Sequence, residues 1–311
     1  MRSGKPVAVF AVLLVVSFAT MNAMPSDTLL AALLQEAVLA LVALAAVGFA
    51  VPDALKRCTQ TVQQRSIVRF TAIILLLVGL VGGAITLLTW LFAGGGNMAG
   101  FASTALPSTA DLMENLLLLL GICLLTGLYE ESFMRVLGIE AFERAFGQGR
   151  AASGRAIGER DARPDASKHV AGGRVGVSGE IGHGAVKSPI AFDSAAKRAI
   201  LVSALLFALL HVGVPDVSVD QLVLMQSALK FVQALLFGVI LGVLYTQTRR
   251  LWPCAFVHAG FDVLYLAPHV LLTGTMPATY ASGTVGDTVL LAVTVLMFAG
   301  IAIKISKEIA R

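Results

Sequence analysis

Charge is scarce in this chain. Asp, Glu, Lys and Arg make up 14% of its 311 residues, where a soluble domain carries about 25%. That deficit excludes a molecule whose whole surface faces water. Cysteine is scarce too: Cys58, Cys123 and Cys254 are odd in number and far apart, which excludes a disulfide framework and a cysteine-rich zinc cluster. Cys123 falls in an apolar run, where a thiol behaves as a small hydrophobe. The apolar runs lack the alternation of half-buried strands. There is no His-Glu-x-x-His motif and no obvious internal repeat, inverted or otherwise, of the kind that marks transporters.

What remains is hydrophobic. Apolar residues make up 57% of the chain and the mean hydropathy is +0.84. Eight apolar segments have helical length, at 6–24, 28–51, 67–93, 112–134, 199–214, 221–246, 251–272 and 284–304. About 20 residues span the hydrocarbon core. The expected fold is all-α: a polytopic membrane protein of about eight transmembrane helices, with its active site in the bundle. Residues 1–111 are expected to hold N-terminal transmembrane helices, 112–272 the catalytic bundle, and 273–311 a last helix and tail.

Lys and Arg set the expected orientation. Arg2 and Lys5 precede segment one; Lys56, Arg57, Arg65 and Arg69 lie between segments two and three; Arg249 and Arg250 lie between six and seven; Lys304, Lys307 and Arg311 close the chain. The alternate loops, 25–27, 94–111, 215–220 and 273–283, hold no Lys or Arg. With eight spans every basic loop falls on one side, so both termini are expected in the cytoplasm of a multi-pass protein of the inner or plasma membrane. The net charge of +4 is therefore a topology signal, and no nucleic-acid partner is expected. Segment one has a positive start and an apolar core, but Met21-Asn22-Ala23 matches a signal-peptide cleavage site poorly; an uncleaved helix is expected. Residues 147–197 are rich in Gly, Ala, Ser and Arg with few large hydrophobes, the composition of a disordered loop. His169 and His183 there read as solvated side chains.

Ionisable groups inside the apolar runs carry the functional signal, because each costs a few kcal/mol in hydrocarbon unless it faces a protein interior. They are Glu130-Glu131-Ser-Phe-Met-Arg135, Phe207-Ala-Leu-Leu-His211, His258-Ala-Gly-Phe-Asp262, and Lys230. Glu130 and Glu131 point about 100° apart on a helix. Glu131 and Arg135 are i,i+4 neighbours and can pair, leaving Glu130 to face a cavity as a general base. The competing view is that the helix ends here and the charges lie among headgroups. At helical rise, His211, His258 and Asp262 lie roughly 18, 10 and 16 Å from the cytoplasmic edge. Glu130 lies about 9 Å from it in a 30 Å core. All fall in one slab, which points to activation of a water molecule. Lys230 enters from the other side at about the depth of Asp262; either it pairs with Asp262 or another site carboxylate, or segment six begins near it and the amine lies in the outer headgroups.

The three motifs, in order and each in an apolar helix, resemble the CPBP group of membrane proteins: type II CAAX prenyl endopeptidases, Abi-like and bacteriocin-processing proteins. The pattern is Glu-Glu-x-x-x-Arg, Phe-x-x-x-His and His-x-x-x-Asn or Asp, and the resemblance covers about 115–265. It implies an intramembrane endopeptidase acting on a membrane-associated protein or peptide within the lipid bilayer. By the same resemblance Glu130 and His211 activate water, and His258 and Asp262 serve the oxyanion. Asp262 departs from the Asn form. An ionised carboxylate repels an oxyanion, so Asp262 is expected to orient and charge His258. Glu131, Arg135, Phe207 and Lys230 are supporting residues. No cofactor is expected. The alternative is zinc on Glu130, His211 and His258, a two-histidine, one-carboxylate set with one open position. The alternative function is a non-catalytic bacteriocin-immunity or membrane binding protein of the same fold.

Overall fold

An unpaired backbone N–H or C=O in hydrocarbon costs several kcal/mol, so apolar runs fold as helices that satisfy their own backbone. The computed structural model describes residues 4–24, 27–58, 65–92, 107–147, 194–212, 220–277 and 283–310, and among these there is no strand. The helices are α1 (Lys5–Ala23), α2 (Leu29–Ala50), α3 (Pro52–Cys58), α4 (Arg65–Phe92), α5 (Thr109–Glu130), α6 (Ser194–His211), α7 (Gln221–Thr248), α8 (Leu251–Thr273) and α9 (Val285–Ala310). Among the described residues, eight helical spans are long and apolar enough to cross a membrane; α3 is the short exception. The protein is an all-α, multi-pass membrane protein. The expected loop at 147–197 falls largely outside the described residues.

Side chains that cap a first turn fix where several helices start. Thr28 accepts from the Ala31 N–H at the start of α2. Ser108 and Asp111 form a reciprocal capping box at the start of α5, satisfying two otherwise orphaned groups. Asp220 caps α7 through the Leu222 N–H. Helix α8 ends at Gly274, whose φ of 69° is the left-handed conformation that glycine adopts without steric cost.

Helix α5 departs from the expected segment 112–134. It continues as π-helix over Glu131–Ile139 and as α-helix over 140–147. The first motif is therefore not at a helix end: all nine π-helical residues are buried, Glu131 and Arg135 included. A charge-bearing segment continues through the interior because its charges are met there, and π-helical turns are a frequent mark of functional sites. At 39 residues the continuous helix is longer than the roughly 20 that cross a bilayer, and its far end carries Glu140, Glu143 and Arg144.

Helix α8 is the hub, packed against α4, α5 and α7. Two close approaches need glycine. A Cβ on Gly127 of α5 would lie 2.6 Å from the Ala255 carbonyl oxygen of α8, and one on Gly79 of α4 would lie 2.8 Å from that of Phe261. Small residues let membrane helices approach this closely. Gly127 lies one turn before Glu131 and Ala255 one turn before His258, so this contact brings the first and third motifs together.

Beyond the site, an ionic cluster ties the end of the long helix to α3 and to the α7–α8 turn. Arg57 donates to Glu140 at 2.7 Å, and Tyr245 donates to the same carboxylate at 3.2 Å. Arg249 donates to both oxygens of Glu143 at 2.7 Å each. Its φ of 53° is the only positive value at a non-glycine residue among those described. Two charge-assisted hydrogen bonds hold it in a conformation that costs a side-chain-bearing residue roughly 1–2 kcal/mol.

Candidate active site

Four helices deliver the ionisable groups to one place. Glu130 ends α5 and Glu131 opens the π-helical stretch, His211 is the last residue of α6, Lys230 lies on α7, and His258 and Asp262 lie one turn apart on α8. Glu130 is at the centre. Its carboxylate oxygens lie 3.7 Å from Nε2 of His211 and 3.5 Å from Nε2 of His258.

Hydrogen bonds fix both imidazoles. Nδ1 of His211 lies 2.8 Å from the Phe207 carbonyl oxygen. A carbonyl only accepts, so Nδ1 carries the proton and donates, and in the neutral ring Nε2 is left as an acceptor facing Glu130. His258 donates from Nδ1 to Glu131 at 2.9 Å, and its Nε2 faces Asp262 at 3.3 Å as well as Glu130. The contact between His258 and Asp262, which i,i+4 spacing permits without guaranteeing, is made.

Glu131 is in turn paired with Arg135 at 3.2 Å, both side chains fully buried. Arg135 donates to Ser203 Oγ at 3.5 Å, and Ser203 donates to the Met134 carbonyl at 2.6 Å. The Phe207 ring stands between two motifs, with the Arg135 guanidinium 4.6 Å from its centroid and the His211 ring 4.1 Å away. The edge-on ring of Phe237, 4.8 Å from that of His258, backs the second imidazole.

Two cavities meet at Glu130 and His211. One, about 460 Å³, lies between α1, α5 and α6, and its other walls are mainly apolar side chains such as Leu14, Phe18, Phe133 and Leu210. The other, about 360 Å³, is the more polar of the two and lies between α2, α5, α7 and α8; Glu36, Thr126, Lys230, His258 and Asp262 line it. Lys230 donates to Gln233 at 3.1 Å. Gln233 donates to Tyr265 at 3.1 Å and to Thr294 at 2.6 Å. Lys230 thus lies well within α7, in the chamber that holds Asp262.

The alternative zinc set Glu130, His211 and His258 is brought together, but among the described residues no group of three or more His, Cys, Asp or Glu side chains is arranged to hold a metal ion. Nε2 of His258 is directed at two carboxylates, as a donor would be.

Residues 185–264 match the family model described as type II CAAX prenyl endopeptidase Rce1-like. This stretch is similar to the CAAX-protease family. The match takes in His211, Lys230, His258 and Asp262; the Glu-Glu-x-x-x-Arg motif precedes it and joins the site through space. No curated protein and no solved structure matches the chain.

Sequence reasoning missed Glu36. It is a carboxylate on α2 that lines the polar chamber, outside any of the three motifs. The signal was present: an ionisable residue in the middle of the apolar run 28–51 is costly in hydrocarbon for the same reason as the others.

Proposed function

We propose that this CAAX-protease-type protein is an intramembrane endopeptidase that hydrolyses a peptide bond of a membrane-associated protein or peptide with water activated by Glu130 and His211. The observation that carries this reading is the position of Glu130, between the two imidazoles at the junction of an apolar and a polar cavity. The gap of 3.7 Å between Glu130 and His211 Nε2 is too long for a direct hydrogen bond and suits a bridging water. Glu130 takes a proton from that water, His211 Nε2 accepts its second hydrogen bond, and the water oxygen attacks the scissile carbonyl carbon.

The carbonyl oxygen then becomes an oxyanion. Nε2–H of His258 is the donor for it, and preorganised donors of this type are usually the largest single contribution to such catalysis. Glu131 fixes the ring through Nδ1, and Asp262 orients and charges it rather than facing the oxyanion itself. Collapse of the tetrahedral intermediate breaks the C–N bond, and the proton held by Glu130 passes to the leaving amine. The apolar cavity supports a substrate whose nearby segment is hydrophobic. No metal step is proposed. Loss of activity to phenanthroline with recovery on added zinc would contradict this part.

The orientation proposed from the basic loops puts both termini in the cytoplasm. A cysteine placed at Asp53, on α3, is then labelled by an impermeant maleimide only when the cytoplasmic face is open, and one placed at Thr109, at the start of α5, only from the other side. The reverse labelling pattern overturns the orientation. The test of function is a comparison of membrane proteomes from intact and Glu130→Gln cells. A precursor that accumulates uncleaved in the variant supports a protease; identical proteomes at equal expression support a binding or immunity role.

A further inference from the structure

Glu36 differs from the other carboxylates of the site. Glu130 faces His211 and His258, Glu131 faces Arg135 and His258, and Asp262 faces His258. Each therefore has a cation or potential cation beside it. The Oε2 of Glu36 is closed off from solvent with no hydrogen-bond partner among the described residues. Its neighbour Gln35 has a structural use, donating to the Met24 carbonyl at 3.0 Å and to that of Met21 at 3.4 Å.

Position gives that carboxylate a use. Glu36 lies on the α2 side of the polar chamber, while Lys230 lies on the α7 side and Asp262 on α8. The chamber is thus polarised, with the Lys230 ammonium on one wall and the Glu36 carboxylate on another. A peptide bond placed at Glu130 and His211 has one flank toward the apolar cavity and the other toward this chamber. A cationic side chain on the second flank is repelled by Lys230 and attracted by Glu36, and a charged hydrogen bond in such a site is about twice as strong as a neutral one.

Resting on the endopeptidase reading, we propose that Glu36 is a specificity-determining residue that receives the ammonium or guanidinium of a Lys or Arg side chain flanking the scissile bond. Glu36 takes no part in the bond-breaking steps. It selects which segment is held against them.

The test uses full-length protein in lipid nanodiscs with pools of acylated fluorescent peptides. The pools are randomised around one fixed position that holds Lys, norleucine or Glu. Binding and cleavage are read separately. The wild type is expected to prefer Lys pools over norleucine pools by about ten- to a hundredfold, the worth of one hydrogen bond to a charged group. Glu36→Gln is expected to erase that preference, Glu36→Asp to retain it, and Glu36→Lys to shift it toward Glu pools. A general structural role would instead lower all pools together. Cleavage with no Lys preference, or a preference that survives Glu36→Gln, overturns the proposal and leaves the endopeptidase reading intact. Lys-selective binding that Glu36→Gln erases, without cleavage of any pool, supports the role of Glu36 and removes the endopeptidase reading. Absence of both removes both.

Discussion

His258 donates from Nδ1 to Glu131 at 2.9 Å, and that one bond decides what the rest of the ring can do. With Nδ1 committed, Nε2 is the atom presented to Glu130, Asp262 and any substrate. In the proposed mechanism the second glutamate of the first motif is a positioning residue. It holds the imidazole, and Arg135 holds it in turn. Burying this many charges is costly unless each is matched, which explains why the motif contains its own arginine.

The first prediction follows from that matching. Arg135→Met leaves Glu131 buried without its guanidinium, and breaking a buried pair in this way costs about 3–5 kcal/mol. The unfolding temperature in detergent is expected to drop sharply. Glu131→Gln combined with Arg135→Met strands neither charge and is expected to recover much of the stability. Activity is not expected to return, because the amide that replaces the carboxylate no longer fixes and charges the His258 ring. Additive losses in the double variant would show that the two side chains do not act as a pair.

Lys230 provides a second test. It lines the chamber together with Asp262 and Glu130. Lys230→Met is expected to lower kcat/KM, and adding Asp262→Asn is expected to restore part of the loss, since neither charge is then stranded. Full activity in Lys230→Met would reduce the lysine to a bystander in the chamber wall.

Arg249 yields an ordering of two variants. Arg249→Ala loses both bonds to Glu143 and keeps a side chain in the left-handed conformation; Arg249→Gly loses the same bonds and relieves the strain. The glycine variant is expected to be the more stable by about 1 kcal/mol, with both below wild type, as read from thermal unfolding. A glycine variant less stable than the alanine one would mean that strain at this turn is not what the bonds offset.

Much of this was legible in the sequence because membrane helices announce themselves twice. Long apolar runs located the eight spans, and the rarity of charge inside them picked out Glu130, Glu131, Arg135, His211, Lys230, His258 and Asp262. The helical spacing of Glu131 with Arg135 and of His258 with Asp262 anticipated two contacts that are present. The link from His258 to Glu131 was not legible, because it joins residues 127 positions apart through the close approach at Gly127. Nor was the continuation of α5 to residue 147, since 135–147 is no longer uniformly apolar and the π-helical winding has no simple periodicity. Glu36 stood in plain view but belongs to no motif. Only the packing of α2 against α5 brings it to the site.

The joint action of Glu130 and His211 on water is tested most directly by measuring cleavage by reconstituted wild type, Glu130→Gln, His211→Ala and the double variant. The substrate is the precursor that accumulates in Glu130→Gln membranes. Either single change is expected to lower the rate by about 10²- to 10⁴-fold. The double variant is expected to be little worse than either, because groups acting as one unit lose their effect together. Turnover retained in Glu130→Gln, with an unchanged unfolding temperature, would contradict the proposed mechanism.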